Sequence, residues 1–343
     1  MSQRLVALFA LAAFVVLVVG ALLTGGNLGL ADSGPNRISF QIATGSTEGI
    51  YFPVGQAMAG LISHPRGVGR CETATVCGPA GVILSARTSQ GAADNLRSVN
   101  QGLVDSGLAQ GDVVAAAVAG RDVFRRSGPA RHLRVIASLF SEEAHLVVAA
   151  DSKIQKVADL RGKRVALGNE GSGAAITARE ILAAWNLMGR VRLVTEDGVG
   201  AAQLLQAGKV DAFFTVAGVP LDAVKDLIAR HQARLVPIDG EGRDRLVKAV
   251  PQLAPAVIAA GAYPGTGVVE TVSTRAYWVV RDSAPDGLIY GVTRALFNAA
   301  NRDALAASHP SARDITLRNA PLTPPALLHP GAARFYREAG ALG

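Results

Sequence analysis

The sequence predicts an α/β protein built mainly from parallel sheets. Three observations lead there. Short apolar segments rich in β-branched residues alternate with stretches of amphipathic helical spacing along most of the chain. The helices begin directly after small polar loops. The chain is 343 residues long and 49% hydrophobic, and beyond roughly 250 residues a single core usually divides, so two domains are expected.

The first segment stands outside that pattern. Arg4 precedes an apolar run over 5–23, and a small-residue stretch follows in which Gly29 and Ala31 are spaced as a signal peptidase requires. Residues 1–31 therefore read as an export signal. The apolar run is longer than most such signals and would nearly span a bilayer, so the same residues also read as an uncleaved anchor. No cysteine stands near the cleavage site to carry a lipid, and no later segment is long and apolar enough for a second span. The mature chain is expected in the periplasm, free or anchored to the inner membrane.

Residues 42–62, IATGSTEGIYFPVGQAMAGLI, read as strand, loop and helix start. Pro53 falls in the first turn, where proline is tolerated, and Val54, Ala57, Met58, Leu61 and Ile62 share one helix face. Free backbone N–H groups and the positive end of the helix dipole then point at whatever Ser46, Thr47 and Tyr51 surround, which suits a carboxylate or phosphate. An ordinary strand-to-helix connection would use the same residues.

Candidate strands lie at 37–43, 81–88, 106–109, 133–140, 145–149, 164–167, 191–195, 212–216, 233–237 and 268–280. Between them helices start near Asn95 after SQGAAD, Asp112 after AQG, Ala174 after GNEGSG, Ala201 after DGVG and Pro220 after VAGV. Ligands of open α/β sheets sit beyond the carboxyl ends of the strands, where such loops collect, and two facing sheets would line one cleft with them. The loop 168–173, GNEGSG, fails the nucleotide motifs. It has no Gly-Lys-Ser/Thr, and Ile176 stands where a dinucleotide fingerprint needs Gly or Ala. What remains is a second helix N-terminus, with Ser172 and small neighbours able to approach an anion or simply to make a tight turn. The tail 308–343 is proline-rich until Ala332 and reads as a surface wrap ending in a short helix.

Cys71 and Cys77 are the only cysteines. In an oxidising compartment they read as a local disulfide, whereas a metal pair would want closer spacing and further ligands nearby. Loss of residues 1–31 removes Arg4 and no acid, so the formal charge falls from +7 to +6. Arg and Lys are spread along the chain and aromatics are 5%, which argues against a nucleic-acid platform. Mild positive charge also suits an anionic ligand or a membrane surface. No GxSxG or HExxH occurs, and His64, His132, His145, His231, His309 and His329 are scattered. Neither catalysis, a metal nor a cofactor is asked for.

The ordered runs GSTEGIYFPVGQAMAGLI, SQGAADNLRSVNQGLVDSGLAQGDV, LRGKRVALGNEGSGA and VDAFFTVAGVP resemble the TAXI family of TRAP-transporter substrate-binding proteins. The family loop before Tyr-x-Pro-x-Gly matches Gly45, Ser46, Thr47, Gly49, Tyr51, Pro53 and Gly55; Gly91 with Asn95, and Gln110 with Asp112 and Val113, match later elements. Glu48 departs from the pattern, where many relatives carry glycine. The resemblance implies a type II periplasmic-binding-protein fold, two α/β domains with a ligand cleft between them, at 38–140 plus 262–307 and at 141–261, followed by the 308–343 tail. It implies a small organic anion, a glutamate-like amino acid, dicarboxylate or 2-oxo acid. Ser46, Thr47, Gly49, Tyr51, Ser89, Asn95 and Gln110 would meet it from the first domain, and Ser172, Gly173, Thr195, Asp197 and Val216 from the second. Arg87 is the basic side chain to watch. Closure around the ligand would create the shape that a TRAP-type permease recognises. The rival readings are a membrane-tethered sensory or adaptor protein and an exported enzyme using Glu48, Glu170 or Asp197 as acid and base.

Overall fold

The computed structural model describes residues 37–65, 67–72, 76–196 and 198–342; residues 1–31, the expected export signal, lie outside them. Its strands are β1 (Ile38–Ala43), β2 (Val82–Arg87), β3 (Ser106–Gln110), β4 (Leu133–Ala149), β5 (Arg164–Ala166), β6 (Arg192–Val194), β7 (Ala212–Ala217), β8 (Ala233–Val236), β9 (Ala254–Ile258) and β10 (Val269–Arg281). Its helices are α1 (Tyr51–Ile62), α2 (Ala92–Gln101), α3 (Gly111–Ala119), α4 (Gly173–Ala184), α5 (Gly198–Gln206), α6 (Asp222–Ala229), α7 (Gly240–Ala249), α8 (Asp286–Leu296), α9 (Arg302–Ala306) and α10 (Pro330–Glu338), with short 3₁₀ turns between some of them.

The strands run in the order β2-β1-β3-β10-β4-β7-β5-β6, with β8 beside β4 and β9 beside β10. Two α/β lobes share this sheet. In one, β1 is parallel to β2 and β3; in the other, β5 is parallel to β6 and β7. The lobes are joined by β4 and β10, which pair antiparallel with each other from Leu133 opposite Arg281 to Glu143 opposite Ser273. Past that point β4 runs on between β7 and β8, and the start of β10 pairs with β9. All these pairings are antiparallel, so the expectation of a mainly parallel sheet is corrected to a mixed one.

The reason is strand length. The sequence suggests two strands broken at Ser141-Glu142-Glu143, but β4 is one strand of 17 residues, long enough to be a member of both lobes. Apart from Ser141 and Glu143 its middle is buried on both faces, as in strands covered by helices on each side. Helix α1 shows how the flanking layers form. Tyr51, Val54, Gly55, Met58, Ala59 and Ile62 are its buried face, while Ala57 and Leu61 pack at the margin. Complete burial of side chains such as Val54, Met58 and Ile62 contributes about 1.5–3 kcal/mol each. Gly55 lets the helix press on β1: a Cβ there would stand 2.6 Å from Thr44 Cγ2.

Cys71 and Cys77 form the expected disulfide, with Cα atoms 5.3 Å apart, and closing so short a loop contributes about 2 kcal/mol on the chain-entropy model. The tail grips more than surface. Tyr336 of α10 is fully buried and donates to Ile136 O of β4 at 2.8 Å. His329 N–H donates to Val135 O, and Asp314 accepts from Ser141 N–H at 3.2 Å and pairs with Arg275 at 3.0 Å. The C-terminal residues thus clamp both joining strands.

Candidate functional site

Each of the six parallel strands is followed by a helix, β1 by α1, β2 by α2, β3 by α3, β5 by α4, β6 by α5 and β7 by α6. N-cap or first-turn residues of all six helices line one cavity of about 260 Å³: Ile50 and Tyr51, Gly91 and Ala92, Gln110, Ser172 to Ala174, Gly198, and Leu221 with Ala223. The opening N–H groups of a helix have no partner within it, and its dipole ends in partial positive charge there. Six such ends bring partial positive charge to the cavity without a cationic side chain, beside the carboxyl groups of Glu48 and Glu142. No Arg, Lys or His among the described residues lines it.

The termini are held firmly. Ser172 caps α4: its Oγ accepts from Ala175 N–H at 3.2 Å and donates to Asn169 O at 2.8 Å, which leaves the amides of Gly173 and Ala174 outside the cap. Ser89 Oγ accepts from Gly91 N–H at 3.1 Å. The start of α6 is fixed by a buried chain in which Leu221 N–H donates to Tyr263 Oη at 3.0 Å and Tyr263 Oη lies 2.8 Å from His145 Nε2. Burial pushes the His145 imidazole down to about 4, so it stays neutral and can accept from the phenol.

The cavity also holds a carboxyl that the sequence reading missed. Glu142, 2% exposed, lies in β4 where the joining strands pair, opposite Thr274 of β10, and its Oε2 accepts from Tyr51 Oη at 2.6 Å. Burial is the main cause pushing Glu142 well above the usual carboxylate range, against the Tyr51 hydrogen bond, and Asp112 and Glu143 push it further. Burial and Glu142 together raise the Tyr51 phenol too. Both groups therefore hold their protons more tightly than an ordinary carboxyl and phenol do. Nearby, buried Asp112 is raised by desolvation although Thr177 donates to its Oδ2 at 2.6 Å. Glu180 is pushed up to about 8, first by desolvation and then by Asp112 and Asp122.

Three hydrogen bonds cross from the β1–β3 lobe to the β5–β7 lobe beside the cavity. Ala93 N–H donates to Gly171 O at 3.0 Å, Gln110 Nε2 to Val216 O at 3.4 Å, and Thr177 Oγ1 to Asp112 Oδ2. The lobes meet so closely that a Cβ on Gly173 would fall 1.4 Å from Gln110 Oε1. The cleft is closed.

Of the residues expected from the sequence, Ser46, Gly49, Tyr51, Ser89, Gln110, Ser172, Gly173 and Val216 line this cavity, as does Glu48. Thr47 and Thr195 are exposed and do not line it. Asn95 does not line it either: fully buried, its Nδ2 donates to Thr44 O at 2.6 Å and Leu108 O at 2.8 Å, tying the residue after β1 to the middle of β3. Asp197 lies outside the described residues. Arg87 is exposed and donates to Gln41 Oε1, and Glu170 lines a different cavity. Besides Glu142, the reading missed Asn169, Gly198 and Thr215 as lining residues. The signal for Glu142 was a carboxylate inside a long apolar run, which marks a buried polar group as well as a loop. Among the described residues no group of three or more His, Cys, Asp or Glu could hold a metal ion.

The chain is similar to several solved structures. A putative L-cystine ABC transporter protein from Listeria monocytogenes is 13% identical over 82% of this chain and 98% of its own, with a TM-score of 0.48. The alkanesulfonate-binding protein from Xanthomonas axonopodis pv. citri, bound to MOPS, is 17% identical over 88% and 90%, at 0.42. A binding protein component of an ABC phosphonate transporter from Pseudomonas aeruginosa is 14% identical over 79% of each chain, at 0.45. Residues 42–340 match the model of the NMT1-like family. With cavity, joining strands and C-terminal clamp all inside that span, the chain belongs to the NMT1-like family.

Proposed function

We propose that the protein is an extracytoplasmic solute receptor that captures a small organic anion and hands it to a membrane transporter. The observation that carries this is the convergence of six helix N-termini on one closed cavity, where burial raises Glu142, the one buried carboxyl lining it among the described residues, above the usual carboxylate range. Such a wall neutralises an anion with backbone dipoles, positioned before the ligand arrives. The cavity volume, about 260 Å³, lies just under the roughly 300–1,000 Å³ of drug-sized sites, so a metabolite of a few carbons is the matching guest. A glutamate-like amino acid, a dicarboxylate or a 2-oxo acid meets these terms, with Ser46, Gly49, Tyr51, Ser89, Gln110, Ser172 and Gly173 as contacts. No ion pair is needed.

The two bodies that open and close are 38–140 with 262–307 and 141–261, with the tail as a clamp. Ligand binding draws the hinge shut because both walls serve one anion only when they meet. The motif resemblance to TAXI proteins favours a TRAP-type permease as the acceptor. The experiment is a thermal-shift screen of the chain from Asp32 onward against amino acids, C4 to C6 dicarboxylates, 2-oxo acids and sugars. One class of acid should raise the melting temperature by several degrees, since ligand at a hundred times its Kd stabilises by about 2.7 kcal/mol. Silence across all the acids, with sugars active or nothing active, would sink the anion reading. Uptake into vesicles driven by an ion gradient without ATP separates a TRAP-type acceptor from an ATP-driven one.

A further inference from the structure

A second cavity, about 590 Å³, lies across the 169–173 loop from the first: Asn169 and Ser172 face the ligand cavity, Glu170 and Gly171 the second one. Four arginines line it, Arg97, Arg125, Arg126 and Arg179, together with Asp122 and Glu170. The arginines come from both lobes, Arg97 on α2 and Arg125 and Arg126 just after α3 on one side, Arg179 on α4 on the other. None of the four forms an ion pair among the described residues.

Two of them are fixed in place without being neutralised. Arg97 donates to Val123 O at 3.0 Å and lies over the Phe124 ring, 5.2 Å from its centroid. Arg179 donates to Ala175 O at 3.3 Å. A guanidinium bonded only to a neutral carbonyl keeps most of its donors and all of its charge. Several such forks around one cavity match an oxyanion with several acceptor oxygens and more than one charge better than a single carboxylate.

We propose that this cavity is a second binding site, distinct from the ligand cleft, for a phosphoryl or equivalent tetrahedral oxyanion, free in solution or on a lipid headgroup. Because its wall comes from both lobes, and Gly171 of that wall already accepts from Ala93 across the cleft, an occupant ties the lobes together. By linkage it tightens the hold on the cleft ligand, and the cleft ligand tightens the hold on it.

The test is calorimetric titration of the chain from Asp32 onward with inorganic phosphate at constant ionic strength, beside sedimentation with phosphatidylglycerol and with phosphatidylcholine vesicles. Arg125 and Arg126 are exposed, so R125Q/R126Q should fold and melt as the wild type does. Saturable phosphate binding that weakens at least tenfold in R125Q/R126Q and in R179Q supports the site with a soluble occupant. Binding to phosphatidylglycerol vesicles alone, lost in the same variants, supports it with a lipid one. Phosphate binding that survives in R125Q/R126Q would place the ion in the ligand cleft and overturn the proposal, as would the absence of binding to phosphate and vesicles alike. Loss in R125Q/R126Q but not in R179Q would overturn the link between the lobes.

Discussion

Glu142 sits between a phenol and a cavity wall made of helix ends, and its proton decides how that wall looks to an anion. Burial makes it keep its proton to higher pH than an ordinary carboxyl does, and its ionisation puts a negative charge beside the ligand. Affinity for an anionic ligand should therefore fall as pH rises, by about tenfold once Glu142 ionises, or about 1.4 kcal/mol. Glu142→Gln should bind with little pH dependence, which titration calorimetry at several pH values would read; an unchanged profile would remove Glu142 from the site. Stability follows a related rule. Glu180 is protonated more tightly in the folded chain, about 8 against an ordinary 4.5. Its contribution is complete below the unfolded value and is lost as pH climbs from 4.5 to 8. Glu180→Gln should narrow the gap between melting temperatures at pH 5 and pH 8, with Asp112 and Glu142 keeping part of it. Ser46, Tyr51, Ser172 and their neighbours were legible because each flanks a helix start, a local pattern. Glu142 was not, because its role depends on a partner 91 positions away.

At the scale of elements, the site consists of helix beginnings brought edge to edge, and the closest approach is between the N-cap of α3 and the first residue of α4. Gly173→Ala would place a methyl where the Gln110 amide now lies. The amide must leave, the Gln110 to Val216 contact goes with it, and the walls part. Ligand affinity should drop at least tenfold, about 1.4 kcal/mol, and small-angle scattering should show a larger radius in the presence of ligand. Adding Gln110→Ala should restore closure; a double variant as open as the single one would refute this account. The strand-then-helix rhythm could be read from spacing alone, and it located all six helix starts lining the cavity within a few residues. What could not be read was the continuity of β4, since polar residues in mid-strand look like a turn until their pairing partners are known. Strand β9, exposed along most of its length, is apolar throughout and so shows no alternation, and Pro255 within it argues against a strand.

For the whole molecule, the C-terminal clamp matters as much as the sheet. Tyr336 is buried against β4 through its hydroxyl and its ring, so Tyr336→Phe should lower the unfolding free energy by about 1 kcal/mol without altering ligand affinity. Urea denaturation with and without ligand would separate the two; a change in affinity alone would mean that the clamp acts on the cleft. The sheet order carries a further consequence. β10 lies between β3 and β4, although it follows β4 by more than a hundred residues, and Tyr336 comes later still. A nascent chain halfway through synthesis therefore has β3 and β4 but not the strand that belongs between them. The first lobe cannot lock early, and its clamp is completed only when Tyr336 has been made. For the exported receptor proposed above, this delay would help passage through a membrane, because the part made first is not yet rigid enough to jam it.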